Sequence, residues 1–377
     1  MTPKPGFRPA EAADGEGRPR QDSALGDGTP LCDENSKGCW RLVTEQRTGP
    51  TKALQVGLLS CGGMARTLAA ALNRLPRAEI ARVCDVAAPA AKALGEELGV
   101  PWTTDAALVL TDPTIRAVIV ATPNFTHADV VVAAAAAGKH VFCEKPLALS
   151  TQDADRMIAA ARANGVHLVV GHVLRYLPVF DHVKRLVDTG CLGRPFAMRI
   201  SRLGRWGEKQ AWRQRRETCG GPLFEINAHE LDFLRYILGE PEAVYATGSQ
   251  RVVDTVDFED TAFVSVRFVG GGHGVLHSSI AAALGGYTGV LQGTEGTLSF
   301  SNWPSSIEWK RFDGTQGRLA DDELHVPDPH ERELAHLVDA VLDGTAPAIR
   351  GEDGRSVVAM AEAASESMRT GAVVRVR

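Results

Sequence analysis

A charged tripeptide follows a short apolar strand in segment 140–149, whose sequence is HVFCEKPLAL. The tripeptide is Glu144-Lys145-Pro146. In a parallel sheet the carboxyl ends of strands face the ligand crevice, so charges there are placed to meet a cofactor. Pro146 also favours an extended backbone at Lys145, which aims the ammonium group. A surface turn carrying a charge pair is the alternative.

A glycine-containing turn joins the first predicted strand to a helix. The apolar run Leu54–Leu59 is followed by the sequence SCGGMA. The N–H groups of such a turn, together with the positive end of the helix, can bind a pyrophosphate. This arrangement points to Gly62, Gly63 and Met64 as cofactor contacts. Ser60 stands where the first glycine of the usual pattern would be.

An acidic residue ends the second predicted strand. Asp85 lies about 20 residues beyond the turn, where a carboxylate can bind a ribose 2′-hydroxyl. The same carboxylate would repel a 2′-phosphate, so the sequence favours NAD over NADP. The alternative role for Asp85 is the N-cap of the helix that begins at Ala88.

The segment Leu223–Leu238 has the pattern of one amphipathic helix. Glu225, His229 and Asp232 are spaced to share one face of it. Imidazole suits proton transfer because its ordinary pKa is near neutrality, and a carboxylate one turn away could bind the ring. A catalytic face is one interpretation, and a satisfied buried network is the other.

Arginine and tryptophan are concentrated in segment 202–216, where Glu208 is the single acid. An indole face packs on sugar C–H groups, and a guanidinium group binds paired oxygens. The segment is therefore typical of polyol recognition, and its basic surplus indicates an anionic group on the ligand. A solvated or intersubunit loop is the alternative. His273 and His277 have no third ligand in the sequence pattern, so we predict no metal site.

Strands and helices alternate up to position 172, which predicts a doubly wound parallel sheet. Beyond Gly193, strands follow one another with few helices between them, which predicts an α+β domain with a large, mainly antiparallel open-faced sheet. The predicted strands there are Phe196–Leu203, Ala243–Gln250, Thr261–Phe268, Gly274–Ala281, Val290–Gly293 and Thr297–Phe300. We expect a dinucleotide-binding Rossmann domain at 53–172 and a substrate-binding and oligomerisation domain at 173–377.

Composition excludes several classes of function for this chain of 377 residues. Its net charge of -5 argues against nonspecific nucleic-acid binding. No apolar run reaches the roughly 20 residues of a membrane span. The N-terminus has neither a hydrophobic signal core nor a twin-arginine pair, so we expect a cytoplasmic protein. Residues 1–52 are rich in glycine, proline and charge, which predicts a disordered extension; a misassigned start codon is the alternative.

Five sequence blocks occur in an order that resembles the Gfo/Idh/MocA oxidoreductase family. The resemblance covers nearly everything from Leu54 to the C-terminus. The blocks are the Gly62-Gly63 turn, Ala121-Thr122-Pro123-Asn124 with His127, Glu144-Lys145-Pro146, Gly171 with Arg175, and Trp212-Arg213 ahead of Gly220-Gly221 and the His229 helix.

The resemblance implies specific roles for residues of this chain. Lys145 is expected to reach both the nicotinamide ribose and the reacting hydroxyl, and His229 to act as the general acid/base with Glu225 beside it. The family helix carries aspartate at the position of Glu225 and glycine at that of Asn227. The cofactor contacts implied are Gly62, Gly63, Met64, Asp85, Thr122, Pro123, Asn124, His127, Glu144 and Lys145. The substrate contacts implied are Lys145, His172, Arg175, Trp212, Arg213, Glu225 and His229.

We therefore expect an NAD-dependent oxidoreductase that transfers hydride between the nicotinamide and a secondary alcohol of a sugar, inositol or related polyol, phosphorylated or otherwise anionic polyols included. One alternative is an enzyme that uses bound NAD catalytically, as epimerases and some glycosidases do. Another is a non-catalytic dinucleotide sensor. A homo-oligomer, either dimer or tetramer, is expected because the open sheet needs a covered outer face.

Overall fold

The computed structural model describes residues 53–207 and 210–377, and these residues form two β-sheets. The predicted extension at 1–52 lies outside the described residues. Each sheet belongs to one half of the chain, and the helices pack on or between them.

The first sheet is parallel and has the strand order β3-β2-β1-β4-β5-β6. Its strands are β1 (Leu54–Leu59), β2 (Ala78–Cys84), β3 (Trp102–Thr103), β4 (Ala117–Val120), β5 (His140–Glu144) and β6 (Leu168–Gly171). The helices between them are α1 (Gly63–Leu72), α2 (Ala88–Leu98), α3 (Ala107–Leu110), α4 (His127–Ala136) and α5 (Thr151–Ala163). Strand β4 is buried along its whole length because helices cover both faces of the sheet. The predicted doubly wound parallel sheet is confirmed.

The second sheet has the order β14-β13-β12-β11-β7-β10-β9-β8-β15, and only the β7–β10 pair of its described strands is parallel. Its strands are β7 (Pro195–Arg205), β8 (Pro241–Ser249), β9 (Thr261–Phe268), β10 (His273–Ser279), β11 (Ala281–Gly293), β12 (Gly296–Asn302), β13 (Ser305–Arg311), β14 (Gln316–Ala320) and β15 (Val374–Arg375). The predicted mainly antiparallel sheet is confirmed. The predicted strand Val290–Gly293 is only the end of the longer β11, and β13, β14 and β15 were not predicted.

The remaining helices include two that return to the first sheet. They are α6 (Pro178–Asp188), α7 (Arg216–Cys219), α8 (Pro222–Glu225), α9 (Ala228–Leu238), α10 (Pro329–Asp343) and α11 (Gly351–Thr370). Leu334, Leu337 and Val338 of α10 belong to the same apolar core as Val56 of β1. Helix α11 packs on α5, α9 and β8, so it contacts both halves of the chain.

The single helix predicted over Leu223–Leu238 is wrong, because the chain forms α8 and α9 with a break at Ile226 and Asn227. The Asn227 N–H donates to the Pro222 carbonyl at 2.8 Å, five residues back, which widens the turn. The Asn227 side chain donates to Glu230 at 2.9 Å and accepts from Ser278 at 2.6 Å. These contacts compete with the regular helical ladder, so Glu225 and His229 do not share one continuous helix face.

Two features are absent from the described residues. No described helix combines the length and apolar character needed to cross a bilayer. In the same part of the chain, no three histidine, cysteine, aspartate or glutamate side chains are grouped so that they could hold a metal ion.

Candidate active site

The glycine turn between β1 and α1 leaves open space where a phosphate would bind. Gly62 caps α1, and a Cβ placed on Gly63 would meet no atom within 4 Å. Ser60 adopts φ 105°, a left-handed conformation that favours glycine, and its hydroxyl accepts from the Gly62 N–H at 3.3 Å. Met64 is 40% exposed at the start of the helix. This open turn at a helix N-terminus fits a dinucleotide pyrophosphate.

Asp85 fixes the same turn from the end of β2. One carboxylate oxygen accepts from the Cys61 N–H at 2.7 Å and the other from the Ala87 N–H at 2.9 Å. The N-cap of α2 is Ala87, so the alternative role of Asp85 as that cap is wrong. Because a carboxylate has about four lone-pair sites, acceptor capacity remains for a ribose hydroxyl.

His127 holds two strand ends together from beneath. Its ring is fully buried, with Nδ1 2.8 Å from the Pro146 carbonyl and Nε2 2.9 Å from the Thr122 carbonyl. Burial lowers the pKa of this histidine, although the two carbonyl contacts oppose that shift. The ring therefore positions the Thr122-Pro123 and Lys145-Pro146 segments, which corrects the expectation that His127 itself contacts the cofactor.

Asn124 links the first sheet to the second half of the chain. Its side-chain amide donates to the Glu225 carboxylate at 2.7 Å and to the Cys219 carbonyl at 3.2 Å, and the residue is buried. Asn124, which was expected to contact the cofactor, thus orients Glu225 through its side-chain amide. Asn124 acts through that carboxylate and through the chain segment that carries it.

Glu144 lies below Lys145 and faces a second buried acid. One Glu144 oxygen accepts from the Lys145 N–H at 3.1 Å. Burial, and then the nearby Glu333 carboxylate of α10, raise the pKa of Glu144 to about 7. Glu333 itself is held by His330 at 2.8 Å, and burial raises its pKa well above the ordinary value. Glu144 therefore supports the lysine from the sheet and is not at the cavity wall.

Lys145 and His229 meet at the wall of a cavity of about 330 Å³. The Lys145 ammonium donates to the main-chain carbonyl of Glu225 at 2.6 Å. His229 is half-buried, and its Nδ1 is buried without a hydrogen-bond partner in the described residues. Desolvation, and then the charge of Lys145, lower the pKa of His229 well below the ordinary value. The imidazole is therefore neutral, and a neutral imidazole has a nitrogen lone pair that can accept a proton.

The Glu225 carboxylate has different partners from those expected. It accepts from Asn124, and its other oxygen lies 3.0 Å from the Arg213 Nε. Of the two roles considered for Glu225, a hydrogen bond to His229 is not formed among the described residues, and binding of a substrate hydroxyl stays a prediction. Glu225 contributes its main-chain carbonyl to Lys145 and its carboxylate to the cavity wall with Arg213.

Three residues expected to contact substrate make other contacts within the described residues. His172 is fully buried behind His229, with ring centroids 6.2 Å apart. Arg175 is buried and makes a two-pronged ion pair with Asp232 at 2.7 and 2.6 Å. Trp212 donates to Gln210 at 2.8 Å and packs on a small apolar cluster around Cys219. None of the three lines the cavity in the part of the chain that is described.

Several cavity residues were not predicted individually. They are Arg202, Arg205, Trp206, Ser278, Ser279 and Trp303. The first three belong to the basic segment 202–216, and only the arginine and tryptophan content of that segment indicated a binding role. Ser278 and Ser279 end β10, and Trp303 lies in the turn after β12, so their position depends on strand pairing that a local pattern does not reveal.

Known proteins match both halves of the chain. Residues 54–172 match the oxidoreductase family with an NAD-binding Rossmann fold, and residues 180–299 match the GFO/IDH/MocA C-terminal domain. Myo-inositol 2-dehydrogenase from Thermotoga maritima is 30% identical over 327 residues, which cover 84% of this chain and 96% of that protein. A 2,7-anhydro-N-acetylneuraminate hydratase from Mediterraneibacter gnavus is 34% identical over 212 residues, covering 54% of this chain and 56% of that protein.

The solved structures agree with this assignment. Levoglucosan dehydrogenase in complex with NADH and levoglucosan superposes with a TM-score of 0.79 at 25% identity, covering 86% of this chain and 100% of that one. The two family matches, the strand order and the open glycine turn all support the same family assignment. The chain belongs to the Gfo/Idh/MocA family of oxidoreductases.

Proposed function

We propose that this protein is an NAD-dependent dehydrogenase, or reductase in the reverse direction, that acts on a secondary alcohol of a sugar, inositol or related polyol. The observation that carries the proposal is the shared cavity wall formed by Lys145 and His229 beside the carboxyl edge of the parallel sheet. Ligands of doubly wound sheets bind outside that edge.

The residues divide the chemistry between them. NAD supplies the hydride acceptor when it is bound. His229, kept neutral by burial and by the neighbouring Lys145, takes the hydroxyl proton of the substrate. Lys145, oriented by the Glu225 carbonyl, stabilises negative charge that develops on the substrate oxygen. In the reverse direction the same imidazole returns the proton.

The related proteins support this choice of substrate class. The relatives named myo-inositol 2-dehydrogenase and levoglucosan dehydrogenase are, by name, enzymes of cyclic polyols and anhydrosugars. A cavity of about 330 Å³ lies within the range of small-molecule binding sites, at its lower end.

A panel of sugars, polyols and inositols, assayed with NAD by the appearance of NADH, tests the proposal. We expect at least one compound to be oxidised, and the turnover to depend on His229. A protein that binds NAD but oxidises or reduces no member of the panel would instead be a dinucleotide sensor.

A second candidate is an enzyme that oxidises and then re-reduces its substrate on one retained NAD. The hydratase relative from Mediterraneibacter gnavus favours this candidate. Substrate would then be consumed without net NADH, and the cofactor would copurify with the protein. Product analysis by mass spectrometry beside the absorbance assay distinguishes the two mechanisms.

A further inference from the structure

The cavity is lined by more positive than negative side chains. Among its described lining residues, the cations are Lys145, Arg202, Arg205 and Arg213, and Glu225 is the carboxylate. His229 adds no charge because its pKa is depressed. A bound ligand therefore meets a surplus of positive charge in a partly enclosed space, where charges interact more strongly than in water.

Several polar groups of this wall already contact other protein groups. One Glu225 oxygen accepts from the Asn124 amide at 2.7 Å, and the other lies 3.0 Å from the Arg213 Nε. The Ser278 hydroxyl donates to Asn227, and the Ser279 hydroxyl is bonded to Thr261 at 3.0 Å. The guanidinium groups of Arg202 and Arg205 still have N–H donors without a described protein partner. A ligand that is mainly an acceptor fits the wall better.

Arg205 is the arginine of the wall that has no protein partner. It is the last residue of β7, its side chain is exposed, and this side chain makes no hydrogen bond or ion pair within residues 53–207 and 210–377. Arg202 differs, because it donates to Glu230 at 2.9 Å, and Arg213 differs because it pairs with Glu225. An unpaired guanidinium at the mouth of a binding cavity is suited to a planar or tetrahedral anion.

Arg202 is held at the cavity wall, where it can help Arg205 to bind a ligand. Its Nη1 donates to Glu230 and to the Ile226 carbonyl, and its guanidinium lies over the Tyr287 ring at 5.2 Å. The Tyr287 hydroxyl also donates to Glu230. Nη1 is the only guanidinium nitrogen of Arg202 with a described hydrogen bond, so the remaining donors are available to a ligand in the cavity.

We infer that the substrate carries an anionic group, a carboxylate or a phosphate, and that Arg205, assisted by Arg202, binds it while the reacting hydroxyl lies at Lys145 and His229. This inference rests on the proposed function, because it names the substrate class of the same site. Arg205 is then a specificity-determining residue and takes no part in proton transfer.

Pairs of substrates that differ mainly in an anionic group separate the effect of charge on kcat/KM from the effect of shape. We would compare a hexose with its uronic acid and its 6-phosphate, and myo-inositol with its monophosphate, using the full chain with NAD. We expect anionic members to have kcat/KM about 10–100-fold above the neutral ones, which corresponds to one or two charge-assisted hydrogen bonds. The acid and phosphate arms show which anion the site takes.

Variants of Arg205 test whether this residue causes the preference for anionic substrates. Arg205→Gln should raise KM for the anionic members more than for the neutral ones and so remove most of the preference, whereas Arg205→Lys should retain part of it. Arg215→Gln is the control, because Arg215 is exposed in the same basic segment but outside the cavity. Equal use of neutral and charged substrates, with no effect of Arg205→Gln, would overturn the inference.

A binding experiment distinguishes failure of this inference from failure of the proposed function. Thermal shifts are measured with NADH bound and each sugar acid or phosphate added. Stabilisation by the anionic compounds that Arg205→Gln removes supports the anion site, even if no alcohol on the panel is oxidised. Turnover of neutral polyols alone would support the dehydrogenase and overturn the anion site.

Discussion

At the scale of single residues, the site depends on a histidine whose buried nitrogen has no partner. His229 lies beside Lys145, and its Nδ1 has no described hydrogen bond. An unsatisfied buried polar atom costs stability, and such costs are common where a group must be ready to react. Replacing this side chain should therefore change catalysis more than folding.

Removing either reacting group should strongly lower turnover. His229→Ala should lower kcat by about 10²–10⁴-fold, the usual range for a general acid/base. Lys145→Ala should lower kcat at least as much and also weaken NAD binding. The double variant should lose less than the product of the two factors, since each disables one proton-transfer step. Kinetics and melting temperature are measured together, and an active but destabilised His229→Ala protein would show that His229 is structural.

Asp85 should determine the choice between NAD and NADP. Its carboxylate ends β2 beside the glycine turn, where a 2′-phosphate would meet its charge. Asp85→Ser should narrow the preference for NAD, measured as the ratio of kcat/KM for the two cofactors. Asp85→Asn retains an acceptor for the Cys61 N–H, so it separates loss of charge from loss of turn geometry. An unmodified protein that uses NADP equally well would contradict the assignment.

The acids Glu144 and Glu333 should make stability depend on pH. Their pKa values are raised in the folded protein, that of Glu144 to about 7 from an ordinary 4.5. Between those values the folded chain holds protons that the unfolded chain has lost, so the free energy of unfolding falls as pH rises. Glu144→Gln should flatten this fall in melting temperature between about pH 5 and 8. Glu308→Gln, at an exposed carboxylate, should leave the profile as it is.

At the scale of elements, one buried ion pair joins the segment after β6 to helix α9. Arg175 holds Asp232, with Asp353 of α11 3.7 Å away, and lies over the Tyr236 ring. Three segments distant in sequence therefore meet behind the cavity. The pair sets the position of α9, and with it the position of His229.

Arg175→Met should destabilise the fold rather than weaken substrate binding. Removing one partner of a buried pair leaves the other charge uncompensated, which costs about 3–5 kcal/mol. Chemical denaturation measures the loss, and KM per folded molecule should change little. Asp232→Asn should be destabilising as well, and the two losses should not add. A stable Arg175→Met protein with a large rise in KM would restore the substrate role for Arg175.

The elements that could be predicted are those governed by local pattern. The apolar strand that ends in Glu144 is predicted directly from the sequence, because a parallel strand buried on both faces is continuously apolar. The break between α8 and α9 could not be predicted in this way. It depends on a hydrogen bond between Asn227 and Ser278, which are far apart in sequence and meet only when the second sheet forms.

The same limit applies to the site. Lys145 was predicted from the Glu-Lys-Pro block after an apolar strand and His229 from the polar face of a predicted helix. The structure brings both to one cavity. His172 and Arg175 follow a recognisable block, yet whether such residues face a cavity or the core depends on neighbours such as Asp232. Trp303 reaches the cavity through the β12–β13 turn, and nothing in its local sequence indicates this.

At the scale of the whole molecule, the nine-stranded sheet has one face without a helical layer among the described elements. Its outward side chains include Tyr245, 44% exposed, and Phe263, 50% exposed and stacked on His277. The inward residues of β9 are buried in alternation with these. Aromatic side chains on an open sheet face are typical of a surface that pairs with another copy.

We therefore predict a homo-oligomer that uses this sheet face. Light scattering at micromolar concentration should give the mass of a dimer or tetramer. Phe263→Glu should shift the mass towards the monomer because it places charge in the buried interface. Val252→Glu, in an exposed loop, is the matched control. A monomeric unmodified protein would contradict the prediction.

The return of α10 to the first sheet has a consequence for biosynthesis. Leu334 and Leu337 cover the apolar surface around Val56. The ribosome synthesises that surface early, but α10, which carries the two leucines, follows almost all of the second sheet. At roughly 5–20 residues per second, the intervening stretch takes on the order of ten seconds or more to translate. During that time the first sheet of the nascent chain lacks part of its apolar cover, so we expect its uncovered surface to be prone to aggregation until α10 emerges.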